Sequence, residues 1–457
     1  MNSLVRMSRI CILVTLILAL PFLARGEESE PLTLEKVRAL ALENSSRMFS
    51  AEQEVENSKL DRESAMAAFY PNLSLQGSIG IPYPSLKNGD SPDPSGSYGV
   101  TLNQQLYSGG SRLASLRQSA LSIAKATIDE ASVRASVLQN AETLFFDLLE
   151  KQDAREVASK ELLAAERALE VAKGKYEVGA VDKVVYLQAQ SKYKAKQAAF
   201  YQAEYALRVS RNRLEVALGV PVNGELVPPS SFDPESLFAL DGEDPARFEA
   251  LSPFMERLKA YAREHNPDLK ALAMSLQIQD LGIRIKEAAY YPTLSLGWTH
   301  TFSGPLEDPG SFSDNGRITI SASVPILPFQ DKHAAVGKAE NTKATLASQL
   351  QEQIRTLEAN VVEYVQGIVV ALQRMEAARA SVEFGEENYR QVYEKYTLSK
   401  ATLMEVSDAE STLSDAQAEM LSARYALYEY WMQLKYVLGF EEDEPFAEFL
   451  RQIRQAN

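Results

Sequence analysis

The chain is poor in cysteine and histidine. Of 457 residues one is cysteine, Cys11, and three are histidine. Cys11 lies in an N-terminal apolar run, so the remainder has no thiol for a disulfide or a thiolate metal site. His265, His300 and His333 fall in different predicted elements, far apart in sequence, and HExxH, a serine nucleophile elbow, a P-loop and GxGxxG are all missing. These absences exclude the familiar metal, nucleophilic and nucleotide-dependent enzymes. The expectation is no catalysis and no cofactor. Basic residues are also in deficit. Lys and Arg number 47 against 62 Asp and Glu, a formal charge of −15, which argues against nucleic acid as a partner.

Long hydrophobic runs are scarce too. Arg6 and Arg9 precede the apolar run from Ile10 to Leu20, and Ala24-Arg25-Gly26 follows with small residues where a signal peptidase reads. The run is shorter than the roughly 20 apolar residues that cross a bilayer, so residues 1–26 are predicted to be a secretory signal rather than an anchor. The exported chain is then expected to begin at Glu27, without an acylated cysteine. No later segment is longer, so any membrane insertion must use strands, which satisfy their backbone groups in lipid only as a closed barrel.

What is present is a duplication. Ala68-Phe69-Tyr70-Pro71-Asn72-Leu73-Ser74-Leu75 returns 221 residues later as Ala289-Tyr290-Tyr291-Pro292-Thr293-Leu294-Ser295-Leu296. Tyr205-Ala206-Leu207 returns as Tyr425-Ala426-Leu427, and Leu218-Gly219 as Leu438-Gly439, both at 220. Two halves of similar element order are therefore joined. The boundaries read from this are a first repeat at 27–220, a linker at 221–253 rich in proline, a second repeat at 254–440, and a charged tail at 441–457 expected to be only partly ordered.

Within a half the order is helix, strand, loop, strand, very long helix, helix. Residues 32–69 run without proline at helical spacing and end at Tyr70-Pro71. The period then becomes two. Leu73, Leu75, Gly77 and Ile79 alternate with Ser74, Gln76 and Ser78, and Tyr98, Val100, Leu102, Gln104 and Leu106 alternate with small or polar residues, giving a hairpin at 72–108. In the second half Leu294, Leu296, Trp298 and Phe302 form one apolar face, and Ile318, Ile320, Ala322, Val324 and Ile326 form another, giving a hairpin at 293–327. A half-buried soluble sheet would alternate in the same way. Strands of about 9–11 residues, polar faces of Ser, Thr, Asn and Gln, and Tyr98, Tyr107, Trp298 and Phe302 near strand ends favour transmembrane strands. Four strands cannot close a barrel, so several chains must contribute to one.

From Ser111 to Tyr176, and again from Asp331 to Tyr396, proline is absent. Some 65 helical residues make a rod of about 100 Å, which no globular core requires. Such rods are expected to pack as coiled coils, with alanines allowing close approach. Each rod turns back at a short connection. The first reads Lys175-Tyr176-Glu177-Val178-Gly179-Ala180, the second Lys395-Tyr396-Thr397-Leu398-Ser399-Lys400, with Met404, Glu405, Val406 and Asp408 following.

The duplicated layout, the paired Tyr-Pro before a strand, and the Tyr-x-x-Gly turn followed by an apolar-acidic run resemble the TolC family of outer-membrane efflux proteins, over essentially all the chain after the leader. The resemblance implies a mainly α protomer with transmembrane β, and a homotrimer forming a 12-stranded β-barrel and an α-helical barrel. It implies a place among outer-membrane lipid with the helices in the periplasm. The implied partners are a periplasmic adaptor and an inner-membrane pump of the RND or ABC class, serving efflux or type I secretion. Val178, Gly179, Ala180, Leu398, Ser399 and Lys400 match the family's docking tips, Glu405 and Asp408 its entrance acids, and Tyr396 a residue that helps hold the entrance shut. Spaced by three on a helix, Glu405 and Asp408 are expected to share a face. Three positions depart from the family pattern. Ser399 stands where glycine is usual, Val185 where an acid is frequent and Ala401 where an arginine is, so the salt-linked gate of relatives is not expected. The rival reading is a trimeric coiled-coil spacer or adhesin without a pore, which explains the rods but not a hairpin within each half.

Overall fold

The computed structural model describes residues 31–81, 93–222, 224, 226–228 and 251–455. The leader and most of the linker lie outside the described residues. Each half begins with two helices in tandem rather than the single helix expected over 32–69. Helix α1 spans Leu34–Glu43 and α2 spans Ser46–Ala67. The break falls at Asn44-Ser45 because Ser45 turns extended and its side chain caps the Met48 N–H of a new helix. The second half breaks at the matching place, where Asn266 caps Asp268 and Leu269 between α5 (Ser252–His265) and α6 (Pro267–Glu287).

Strands β1 (Asn72–Gly80) and β2 (Ser95–Ser108), then β3 (Thr293–Pro305) and β4 (Ser313–Ser323), form one antiparallel sheet in the order β1-β2-β3-β4. The alternation in Val324 and Ile326 extends past the ladder, which stops at Ser323. Pro325 has no N–H to donate, so strand pairing does not continue through it. A register shift between Gln105 and Tyr107 likewise takes Leu106 out of the row that its spacing suggested.

The rods follow each hairpin. Helix α3 runs Ser111–Glu177 and α4 returns over Lys183–Leu218; α7 runs Phe329–Thr397 and α8 returns over Leu403–Val437. At 1.5 Å per residue, α3 and α7 are each about 100 Å long. None of the described helices is long and apolar enough to cross a membrane. The duplication is exact enough to place matching cores. Val37, Phe145, Leu148, Leu214 and Leu218 are fully buried in the first half. Leu258, Val365, Ile368, Leu434 and Leu438, at offsets of 221 for the first and 220 for the others, are fully buried in the second. The tail is helical over most of its described residues. Its acidic surface conceals helix α9 (Asp443–Gln455), which seats Phe446 and Leu450 against the second core.

One polar cluster joins the halves at mid-length. Glu142 of α3, 1 % exposed, accepts from Lys435 of α8 at 2.9 and 3.0 Å, from Arg38 of α1 at 2.5 Å and from the Tyr436 hydroxyl at 2.6 Å. Asp443 of α9 closes the ring, accepting from Arg38 at 2.6 Å and Lys435 at 3.0 Å. A carboxylate this deep is tolerable only when every lone pair is met. Burial, and then Glu142, push the Tyr436 phenol well up. Burial alone would raise Asp443, but Lys435 and Arg38 outweigh it and hold the carboxyl below its usual value. Lys435→Met leaves Glu142 buried beside a lost cation and is expected to cost about 3–5 kcal/mol, read as a lower denaturant midpoint. Because Asp443 is depressed in the folded state, its contribution is present above its ordinary pKa of 3.8 and fades as pH falls through the lower folded value. Asp443→Asn should flatten that acid limb.

Candidate pore and docking site

The tips of the two rods are built alike. At the first, the Gly179 N–H donates to the Tyr176 carbonyl at 3.0 Å and the Ala180 N–H to the Lys175 carbonyl at 2.8 Å. This double closure needs a left-handed residue, and Gly179 sits at φ +72°. The second tip repeats it, Ser399 N–H to Tyr396 at 3.0 Å and Lys400 N–H to Lys395 at 2.8 Å. Ser399 is forced to φ 57°, alone among the described non-glycine residues in having positive φ. The departure seen in sequence thus changes the strain in the tip and not its path. Val178 and Leu398, in matching positions, are 79 % and 67 % exposed.

Tyr396 is buried at 2 % exposure, whereas its counterpart Tyr176 is 39 % exposed and stacks on Tyr186 with centroids 5.7 Å apart. Ala172, Ala189, Leu403 and Val406 surround Tyr396, with Val185 and Ala401 packed beside them. The two positions that lack their usual charges therefore supply apolar wall. The Tyr396 hydroxyl has no hydrogen-bond partner among the described residues, and burial raises its pKa. Its polar contact comes instead from Lys175, whose Nζ lies 3.9 Å from the ring centroid and donates to the Tyr396 carbonyl. Desolvation there lowers the Lys175 pKa.

A second link lies a few turns from the tip. Glu410 of α8 is 5 % exposed and pairs with Lys192 of α4 at 2.5 Å; Lys192 also donates to Ser407 at 3.0 Å, and Lys196 holds Glu161 at 2.9 Å. Burial, with Glu410 nearby, pushes the Tyr389 phenol up to about 12. Sequence reading missed the roles of Lys175, Lys192 and Lys196, since nothing local to a lysine announces an acid or ring on another helix.

The two expected entrance acids are not equivalent. Glu405 is the third residue of α8 and completes a capping box, its Oε2 accepting from the Thr402 N–H at 2.6 Å and hydroxyl at 2.9 Å. That backbone hydrogen bond holds the Glu405 pKa below its ordinary 4.5. Asp408 is exposed and lies one turn further on.

At the other end, the sheet has chemically uniform rows. Leu73, Leu102, Trp298 and Ile318 are paired across all four strands, and so are Ser78, Ser97, Ser303 and Ser313 on the opposite face. Leu75, Ile79, Ile318 and Ile320 are 68–78 % exposed. One face is therefore fit for hydrocarbon and the other for water, while β1 and β4 each keep an unpaired edge.

A family model described as outer membrane efflux protein matches residues 37–220 and 260–440. The chain belongs to the outer membrane efflux protein family. Its likeness to Nodulation protein T of Rhizobium leguminosarum bv. trifolii is 23 % identity over 70 % of this chain and 66 % of that protein, just under two thirds of its length. With the outer membrane protein TolC of Vibrio cholerae it is 22 % identical over 75 % of this chain and 76 % of TolC. The crystal structure of the CmeC outer membrane channel of Campylobacter jejuni shares the fold at a TM-score of 0.75 and 17 % identity, covering 92 % of this chain and 89 % of CmeC. Family membership gives the chain its role and place, an efflux exit duct in the outer membrane with its helices in the periplasm. The family is one of channel proteins and not of enzymes.

Gly179→Val places a β-branched side chain in the left-handed region and is expected to cost the first tip roughly 1–2 kcal/mol. Ser399→Gly relieves the second. Hydrogen exchange at the Ala180 and Lys400 amides checks both, with faster exchange expected for the first variant and unchanged or slower exchange for the second.

Proposed function

We propose that three copies of this chain form a continuous tube that carries substrate from an inner-membrane pump of the RND or ABC class to the exterior. The observation that carries this reading is the two-faced, open-edged sheet at one end of rods about 100 Å long. Two copies would give eight strands, a barrel whose interior side chains fill; three give twelve and leave a bore. The Val178-Gly179-Ala180 and Leu398-Ser399-Lys400 tips are the docking points for a periplasmic adaptor. Their support is an identical backbone at both turns and exposed apolar side chains at matched positions, Val178 with Leu398 and Val184 with Met404.

Glu405 and Asp408, three copies each, line the periplasmic entrance and favour cations. Tyr396 acts as packing beneath that entrance. Its burial among apolar residues, with Lys175 bound to its carbonyl, favours closure by a hydrophobic seam in place of a salt-linked gate.

Single-channel recording in planar bilayers tests the reading. Discrete conductance with cation preference is expected, and Glu405→Gln/Asp408→Asn should lower that preference. Because Glu405 is held below its ordinary pKa by Thr402, acidification should neutralise Asp408→Asn channels only at pH below 4.5. Absence of conductance from a correctly inserted oligomer would contradict a pore.

A further inference from the structure

The duplication allows one surface of the molecule to be matched with its occupant. On the second half, α5, α7 and α8 enclose a groove of about 670 Å³ with Lys259, Glu358, Val362 and Glu363 in its walls. Gly367 lets the Tyr430 ring of α8 lie directly against α7 as the floor of this groove, since a Cβ there would stand 2.7 Å from the ring. The same surface exists on the first half, 220 or 221 residues earlier, as Arg38, Leu138, Glu142 and Thr143.

In the first half that surface is filled by this chain. The end of α8 lies over it: Met432 is buried with Leu138, Lys435 pairs with Glu142, and Tyr436 donates to the same carboxylate. Moving α8 back by 220 residues gives Asn212, Glu215 and Val216 at the end of α4. That end is uncovered, with Val216 83 % exposed. Among the described residues one half thus supplies a groove without a filler, and the other a filler without a groove.

We propose that the groove of one subunit seats the end of α4 from a second copy, with Lys259 facing Glu215 of the partner subunit and Val362 facing Val216 of the partner subunit. Groove and filler are different surfaces, so the contact is head-to-tail and is satisfied throughout only in a closed ring. A second pair supports the same placement. Within the chain, Ser132 of α3 donates to Asp268 of α6 at 2.5 Å. The residues at the matching offsets are Glu352 and, on the other copy, Arg47 of the partner subunit, which are opposite charges.

Charge also keeps the two fillers apart. The internal groove holds the acid Glu142 and takes Lys435. The open groove has Val362 in place of that acid and Lys259 in place of Arg38, and it takes Glu215 of the partner subunit. Exchanging the fillers would set Glu215 of the partner subunit on Glu142 and Lys435 beside Lys259, repulsions that forbid a frame-shifted assembly. Lys259 pairs with Glu256 at 2.8 Å within its own helix, and among the described residues Glu215 accepts the Val222 N–H at 3.1 Å through one oxygen, leaving the other for a partner.

The inference rests on the oligomeric reading above, and charge exchange separates the two. Lys259→Glu and Glu215→Lys are each expected to lower the oligomer fraction in detergent by about tenfold or more, measured by size exclusion with light scattering, and the two together to restore it. Independently, Arg47→Cys/Glu352→Cys, in a chain whose only other cysteine is in the leader, should give covalently linked oligomers on oxidation, while either single variant gives none. An oligomeric protein indifferent to both charge variants, and without crosslinks from the double-cysteine variant, overturns the surface and leaves the channel standing. Crosslinking by a single-cysteine variant means a face-to-face contact and also overturns it. A wild-type chain that stays monomeric in detergent and forms no channel overturns the oligomeric reading itself.

Discussion

A sheet with two open edges cannot rest in hydrocarbon, because each unpaired N–H and C=O there costs several kcal/mol. Strands β1 and β4 are such edges, and the rest of the molecule is arranged around that constraint. The hairpins are separated by residues 109–292, yet β2 and β3 pair along almost their whole length. The rods of the two halves must therefore run side by side. Once they do, Lys175 can reach Tyr396 and Lys192 can reach Glu410, contacts that exist only because the sheet has set the halves in register.

What holds that register at mid-length is a single carboxylate. Glu142 draws in a cation from α1, another from α8 and a hydroxyl, and Asp443 ties the terminal helix to the same cations. Apolar packing alone would tolerate sliding, since rows of alanine and leucine repeat along both rods. A buried acid with directed partners does not, because a slip of one turn would leave it unpaired. Among the described residues the second half has no such cluster, having Val362 where the first has Glu142, so the two equivalent grooves differ in chemistry.

The elements that were legible in sequence are those written twice or strictly periodic. Tyr-Pro before each first strand, the proline-free rods and the paired tips all stand in the structure close to their expected bounds. Where the expectation failed, a local chemical event had overridden a continuing pattern. The helix of 32–69 breaks because Ser45 caps a new start, and β4 ends because Pro325 cannot donate, although apolar residues carry on past both. The tail concealed its helix because Phe446 and Leu450 are spaced among acids and arginines. Pairs such as Glu142 with Lys435, 293 residues apart, leave no local trace at all.

The two tips illustrate how like backbones acquire unlike environments. Lys175-Tyr176 and Lys395-Tyr396 are the same dipeptide at the same place in each half, and both turns close with the same pair of hydrogen bonds. Tyr396 is buried because the first half lies against it, whereas Tyr176 faces outward, where no second half of this chain can reach. In the proposed closed tube every tip has a neighbour on each side. The seam within a chain then carries Lys175 on Tyr396 and the ion pair from Lys192 to Glu410, while the residues matching Lys192 and Glu410 at the other seam are Thr412 and Gln190, both neutral. In the proposed tube the seam between chains therefore keeps the lysine and tyrosine of the tip, as Lys395 and Tyr176 of the partner subunit, without the ion pair that lies a few turns further on within a chain.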